Sequence, residues 1–164
     1  MAKLFGRDFS GVLTTMRGTI GYLAPEWISG VAITTKADVY SYGMMLFELV
    51  SSRRNCEQPK DGRMEYFPVK VSSLINKQGD VLSLLDPRLE GNADIEEVTR
   101  VCKAACWCIQ DDEAQRPTMG QVIHFLEGLQ DMNLPPISRI LRSLGYSEED
   151  TIGSQKLKLA VSNM

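Results

Sequence analysis

The sequence predicts a mainly α-helical unit. Three segments carry that prediction: an apolar run within Lys36 to Val50; a stripe through Ile95, Val98, Val101, Cys102, Cys106 and Ile109; and Val122, Phe125, Leu126 and Leu129 behind a Thr118-x-x-Gln121 start. The last two repeat with the helical period of 3.6 residues. No stretch alternates with the strand period over a convincing length. At 164 residues the chain can form one compact domain with a sizeable core, followed by a tail.

Taken in order, residues 1–30 are rich in Gly, Thr and Arg without helical period, and read as an extended loop ending at a Pro turn. Thr35 stands three residues before Asp38, a capping-box-like start with an acid where Glu or Gln is usual. It opens a helix over 36–50. Met44, Met45, Leu46, Phe47, Leu49 and Val50 cover almost every face of that helix, so it is expected to be buried on all sides. Residues 51–68 are polar, with Pro59 and an Asp61-Gly62 turn signal, and predict a loop into a short helix from about Val69 to Lys77, ended by Gly79. Asp86-Pro87-Arg88 breaks the chain before the amphipathic helix that carries Ile95 to Ile109. The final helix starts on the Thr118/Gln121 capping box and is expected to run to about Asp131, with Pro135-Pro136 stopping it. Residues 133–164, polar and weakly patterned, read as a flexible tail.

Composition narrows the function classes. A net charge of −3 with 24% charged residues argues against a nucleic-acid surface or a polybasic membrane anchor. The longest nearly apolar run, Met44 to Val50, is interrupted by Glu48 and falls far short of the roughly 20 residues a membrane span needs. No apolar stretch of signal-peptide length opens the chain, so its four cysteines are expected to stay reduced. Cys102 and Cys106 share a helix face while Cys108 points elsewhere, no second ligand pair follows, and His124 is the single histidine. These cysteines therefore read as small buried hydrophobes, and no metal site is expected.

Gly18-Thr19-Ile20-Gly21-Tyr22-Leu23-Ala24-Pro25-Glu26-Trp27, then Asp38-Val39-Tyr40-Ser41-Tyr42-Gly43, then Gln115-Arg116-Pro117 resemble the second half of a protein kinase domain, the first block carrying the Ala-Pro-Glu element. Together with Cys106-Trp107-Cys108-Ile109 they resemble plant receptor-like serine/threonine kinases, nearest to the S-domain, lectin-type branch. The resemblance covers about Ala2 to Pro136. It implies a protein-kinase-like C-lobe fragment without the N-lobe: residues 1–30 as activation segment and substrate-facing loop, and 31–132 as the helical lower part.

The resemblance also assigns roles. Thr19 and Gly21 would face a protein substrate, Thr19 favouring Ser/Thr over Tyr, and Gly18 and Gly21 would let the backbone turn tightly beside the bound peptide. Ser10, Thr14 and Thr15 would be phosphorylation candidates. Glu26, in the Ala24-Pro25-Glu26 turn, would form a buried ion pair with Arg116, and Asp38 would accept hydrogen bonds from a catalytic-loop backbone. The parent family uses ATP and Mg²⁺, through a Gly-rich loop, a strand lysine, a catalytic-loop Asp and Asn, and a D-F-G Asp. This chain contains neither Gly-x-Gly-x-x-Gly nor His-Arg-Asp, and Met1 stands where the family has the residue after D-F-G. No cofactor binding and no phosphotransferase activity are expected of the chain alone. Its expected partners are protein substrates or other kinases, with no nucleic acid and no membrane span, and self-association is expected through apolar surface left open on the 36–50 helix. The expected location is cytoplasmic, the parent family lying at the cytoplasmic face of the plasma membrane. The leading reading is a catalytically incomplete piece of a receptor-like serine/threonine kinase. The alternative is a non-catalytic interaction module that competes for kinase partners. A third, an unrelated helical scaffold, would require the Ala24-Pro25-Glu26, Asp38 and Arg116 set to be accidental.

Overall fold

The computed structural model describes residues 21–29, 32–57 and 65–139. Helix α1 spans Glu26–Ser29, α2 Lys36–Ser51, α3 Phe67–Asn76, α4 Ile95–Cys108 and α5 Met119–Leu126. Two-residue strands β1 (Cys56–Glu57) and β2 (Glu65–Tyr66) pair antiparallel between α2 and α3, with Cys56 opposite Tyr66. Single 3₁₀ turns at Val81–Leu84, Pro87–Leu89 and Glu113–Gln115 connect the later helices. The described part is mainly helical, as the sequence predicts.

Helix α2 lies against α4, and that contact sets the architecture. Gly43 makes it close: a methyl group there would stand 2.5 Å from Cys108 Cβ and 3.0 Å from the Ala105 carbonyl oxygen. Gly43→Ala is therefore expected to cost about 1–3 kcal/mol by overpacking, read as a lower urea midpoint at unchanged slope. On one side of this contact Met44, Phe47, Val71, Ile75, Leu84, Val98, Cys102 and Cys106 form the main core. Val39, Cys108 and Val122 form a smaller cluster where α5 joins the pair. This separates Cys108 from Cys102 and Cys106, and burial pushes all three thiols up to about 12. At neutral pH they are protonated and packed, the state of inert structural cysteines.

Several local expectations are corrected. Thr35 precedes α2 but does not cap it, because its φ of −60° and ψ of −13° are already helical. A capping side chain needs extended backbone to reach back, and Thr34 takes the role: its hydroxyl accepts from Lys36 N–H at 3.2 Å and donates to Glu113 at 2.8 Å. Burial of α2 is one-sided: Phe47 is fully buried, whereas Met45 is 41% and Leu49 67% exposed. Helices α3, α4 and α5 all pack on the same side of it. Helix α3 starts at Phe67, two residues early, with Pro68 in its first turn, where a missing N–H costs nothing. Ile95 opens α4 but does not join its buried stripe, being 53% exposed at the first position.

The predicted capping box of α5 is present, with Gln121 N–H donating to the Thr118 hydroxyl and Thr118 N–H to the Gln121 side chain. Its end is not at Asp131. Gly128, at φ +71°, turns the chain left-handed, Gly128 N–H bonds the Phe125 carbonyl and Leu129 N–H the His124 carbonyl, and Leu129 is left 71% exposed. Nor does a free tail begin at 133. Pro135 and Ser138 are buried, and residues 133–139 are hydrogen-bonded back to the end of α4; residues 140–164 lie outside the described ones.

Candidate functional site

The turn at 21–29 and the base beneath it are held by Arg116. In place of a plain extended loop, Ala24 and Pro25 accept from the N–H groups of Trp27 and Ser29, forming α1 with Glu26 in its first turn. Ala24 is fully buried beneath it. Glu26, 6% exposed, receives Arg116 Nη1 at 2.7 Å and Nη2 at 2.8 Å, a bidentate pair between residues 90 apart in the chain. The remaining guanidinium hydrogens go to main-chain carbonyls: Nε to Gln110 at 2.7 Å, Nη1 to Lys36 at 3.0 Å and Nη2 to Asp111 at 3.3 Å. All five N–H groups that an arginine offers thus have acceptors. The Tyr40 ring lies 5.1 Å from the guanidinium carbon, and the Lys36 ammonium donates to the Arg116 carbonyl.

Burial raises the Glu26 carboxyl, but the Arg116 hydrogen bonds, a backbone hydrogen bond and the arginine charge outweigh it and leave it below its ordinary value. The pair is therefore ionised at neutral pH, and a buried charge is tolerated because its partner satisfies it. Tyr40, partly buried beside it, is pushed up to about 12 by desolvation and keeps its proton.

A second tether escaped sequence reasoning. The Tyr22 hydroxyl donates to Glu48 Oε2 at 2.5 Å, Glu48 Oε1 accepts from Asn55 N–H at 2.9 Å, and Ser41 donates to the Tyr22 carbonyl at 2.8 Å. Hydrogen bonding to Glu48, with burial, raises the Tyr22 hydroxyl above its ordinary value, so it remains the donor. The signal was present: Glu48 is the acid that interrupts the apolar run from Met44 to Val50. Gly21, at φ +99°, starts this turn in a backbone region that only glycine enters freely.

Glu26 and Arg116 are thus brought together, with Ala24 and Pro25 forming their turn. Asp38 is not part of the cluster: it is exposed on the first turn of α2, and its carboxylate takes no hydrogen bond from another described residue. Thr19 and the candidates Ser10, Thr14 and Thr15 lie outside the described residues. Among the described residues no group of His, Cys, Asp or Glu converges closely enough to hold a metal ion. No described helix is long and apolar enough to cross a membrane.

Comparison with known proteins interprets this arrangement. A family model described as protein kinase domain matches residues 1–125. The chain belongs to the protein kinase domain family. It is 65% identical to a G-type lectin S-receptor-like serine/threonine-protein kinase of Arabidopsis thaliana, over 92% of this chain and 18% of that protein. A second Arabidopsis thaliana protein of the same description is 50% identical over 88% of this chain and 19% of its own length. A probable receptor-like protein kinase of the same plant is 40% identical over 86% of this chain and 32% of its own. This kinase segment therefore spans about a fifth of the first two relatives and a third of the last. Within it, the Glu26–Arg116 pair joins two of the motif blocks that carried the resemblance.

Proposed function

We propose that this chain is the lower, C-terminal part of the cytoplasmic kinase domain of a receptor-like serine/threonine kinase, and that the whole protein transfers phosphate from ATP to protein Ser/Thr residues at the inner face of the plasma membrane. The observation that carries the reading is the buried Glu26–Arg116 pair, which seats the 21–29 turn on a helical base. In this reading residues 1–30 form the activation segment, Thr19 and Gly21 present the substrate-facing surface, and Ser10, Thr14 and Thr15 receive regulatory phosphates that arginines of a catalytic loop would order. Asp38 awaits the backbone of that same loop, consistent with its exposure. Met45 and Leu49 are the surface against which such missing parts would pack, and in the chain alone they promote self-association.

Two preparations test this. The 164-residue chain alone, given Mg²⁺, labelled ATP and Ser/Thr peptides, should transfer no label and should shift to larger size in sedimentation as concentration rises. The longer protein containing it should label Ser/Thr but not Tyr peptides, and lose this with Thr19→Val. Transfer by the chain alone, in a preparation free of other kinases, overturns the incomplete-kinase reading. An inactive longer protein that captures full-length kinases favours the interaction module instead.

A further inference from the structure

The family match ends at residue 125, yet the next ordered segment returns to the Arg116 cluster. Trp107 Nε1 donates to the Asn133 carbonyl at 3.1 Å, and Gln110 Nε2 to the Pro136 carbonyl at 2.9 Å. Asp111 accepts from the Ser138 hydroxyl at 2.7 Å and from Arg139 N–H at 2.6 Å, one on each carboxylate oxygen. Pro135 and Ser138 are buried by this contact, and Ile137 packs against the main core.

Gln110 and Asp111 face both ways. Their main-chain carbonyls receive Arg116 Nε and Nη2, while the Gln110 side chain donates to the Pro136 carbonyl and the Asp111 carboxylate accepts from Ser138 and Arg139. They lie between the end of α4 at Cys108 and the turn at Glu113–Gln115, outside any helix that could aim those carbonyls. We propose that residues 133–139 are a strap that sets the carbonyl cage of Arg116, with Asp111 as the positioning residue, so that the seating of Glu26 and the 21–29 turn depends on chain beyond the kinase family match. A change at Ser138 would then reach the substrate-facing loop through Asp111, Arg116 and Glu26. The coupling is geometric and holds whether or not the chain acts as a kinase.

Hydrogen exchange in the 164-residue chain tests it, read at Arg116 Nε–H and the Trp27 amide, with the Val71 amide of α3 as the control. Ser138→Asp sets a second carboxylate against Asp111 and should accelerate exchange at Arg116 Nε–H and Trp27 about tenfold, the scale of losing a hydrogen bond to a charged group. A chain ending after Met132 should do the same, and one ending after Arg139 should keep full protection. Ser138→Ala removes one donor without adding charge and should accelerate the same two sites by roughly threefold, so the proposal stays testable if the shorter chain does not fold. Acceleration of Val71 by the same factor would mean general destabilisation, and unchanged protection at Arg116 Nε–H would mean no coupling. Either result overturns the strap.

Discussion

Replacing Arg116 with alanine should lower the stability of the chain by about 3–5 kcal/mol, the scale for removing one partner of a buried ion pair. The cost comes less from the lost attraction than from what is stranded. Glu26 would keep a buried charge without a partner, and the carbonyls of Lys36, Gln110 and Asp111 would lose their donor together. Arg116→Lys should recover only part of this, since an ammonium presents three hydrogens from one point and cannot match a bidentate carboxylate and three diverging carbonyls. Equilibrium urea unfolding gives both values. The sign of the pH dependence follows from Glu26, whose folded value is depressed. Its contribution is complete above the unfolded glutamate value of about 4.3 and is lost as pH falls through the folded one. Between pH 7 and pH 3 the unaltered chain should therefore lose more stability than Glu26→Gln, and equal losses would count against an ionised pair.

Phe47→Ala should cost a comparable amount, about 3–5 kcal/mol, as a large-to-small change in a packed core. Phe47 is fully buried, and its ring meets that of Phe67 edge-on at 6.4 Å and 76°, joining α2 to the start of α3. Leu49→Ala, two residues along the same helix, should fall within about 0.5 kcal/mol because Leu49 is 67% exposed. Thermal unfolding of the two variants side by side makes the comparison. Similar losses at both positions would mean that α2 is covered on the face that the described residues leave open.

That contrast marks a boundary of sequence reading. Met44 to Val50 is apolar on almost every face, so its pattern cannot rank Phe47 above Leu49. The ranking depends on where α3 and α4 lie. The same holds at the site. The motif blocks placed Glu26 opposite Arg116 by resemblance, but nothing local to either residue announces the carbonyls of Lys36, Gln110 and Asp111 or the Tyr40 ring. The Tyr22–Glu48 tether had a local trace, one acid inside an apolar run, whose partner lies 26 residues away. The end of α5 has a local signal in the sequence: Gly128 is the residue that a left-handed helix stop asks for, and it precedes the Pro135-Pro136 pair.

By itself the sequence determined the presence of the four longer helices α2 to α5, the α5 capping box and the kinase motif blocks, because capping and periodicity act between residues a few positions apart. Tertiary structure alone decided which face of α2 is buried, why Gly43 has no side chain, that Thr34 and not Thr35 serves the helix start, and that residues 133–139 turn back onto Gln110 and Asp111. These depend on atoms brought together from distant parts of the chain, where exclusion of water makes pairing or close packing of each group decisive.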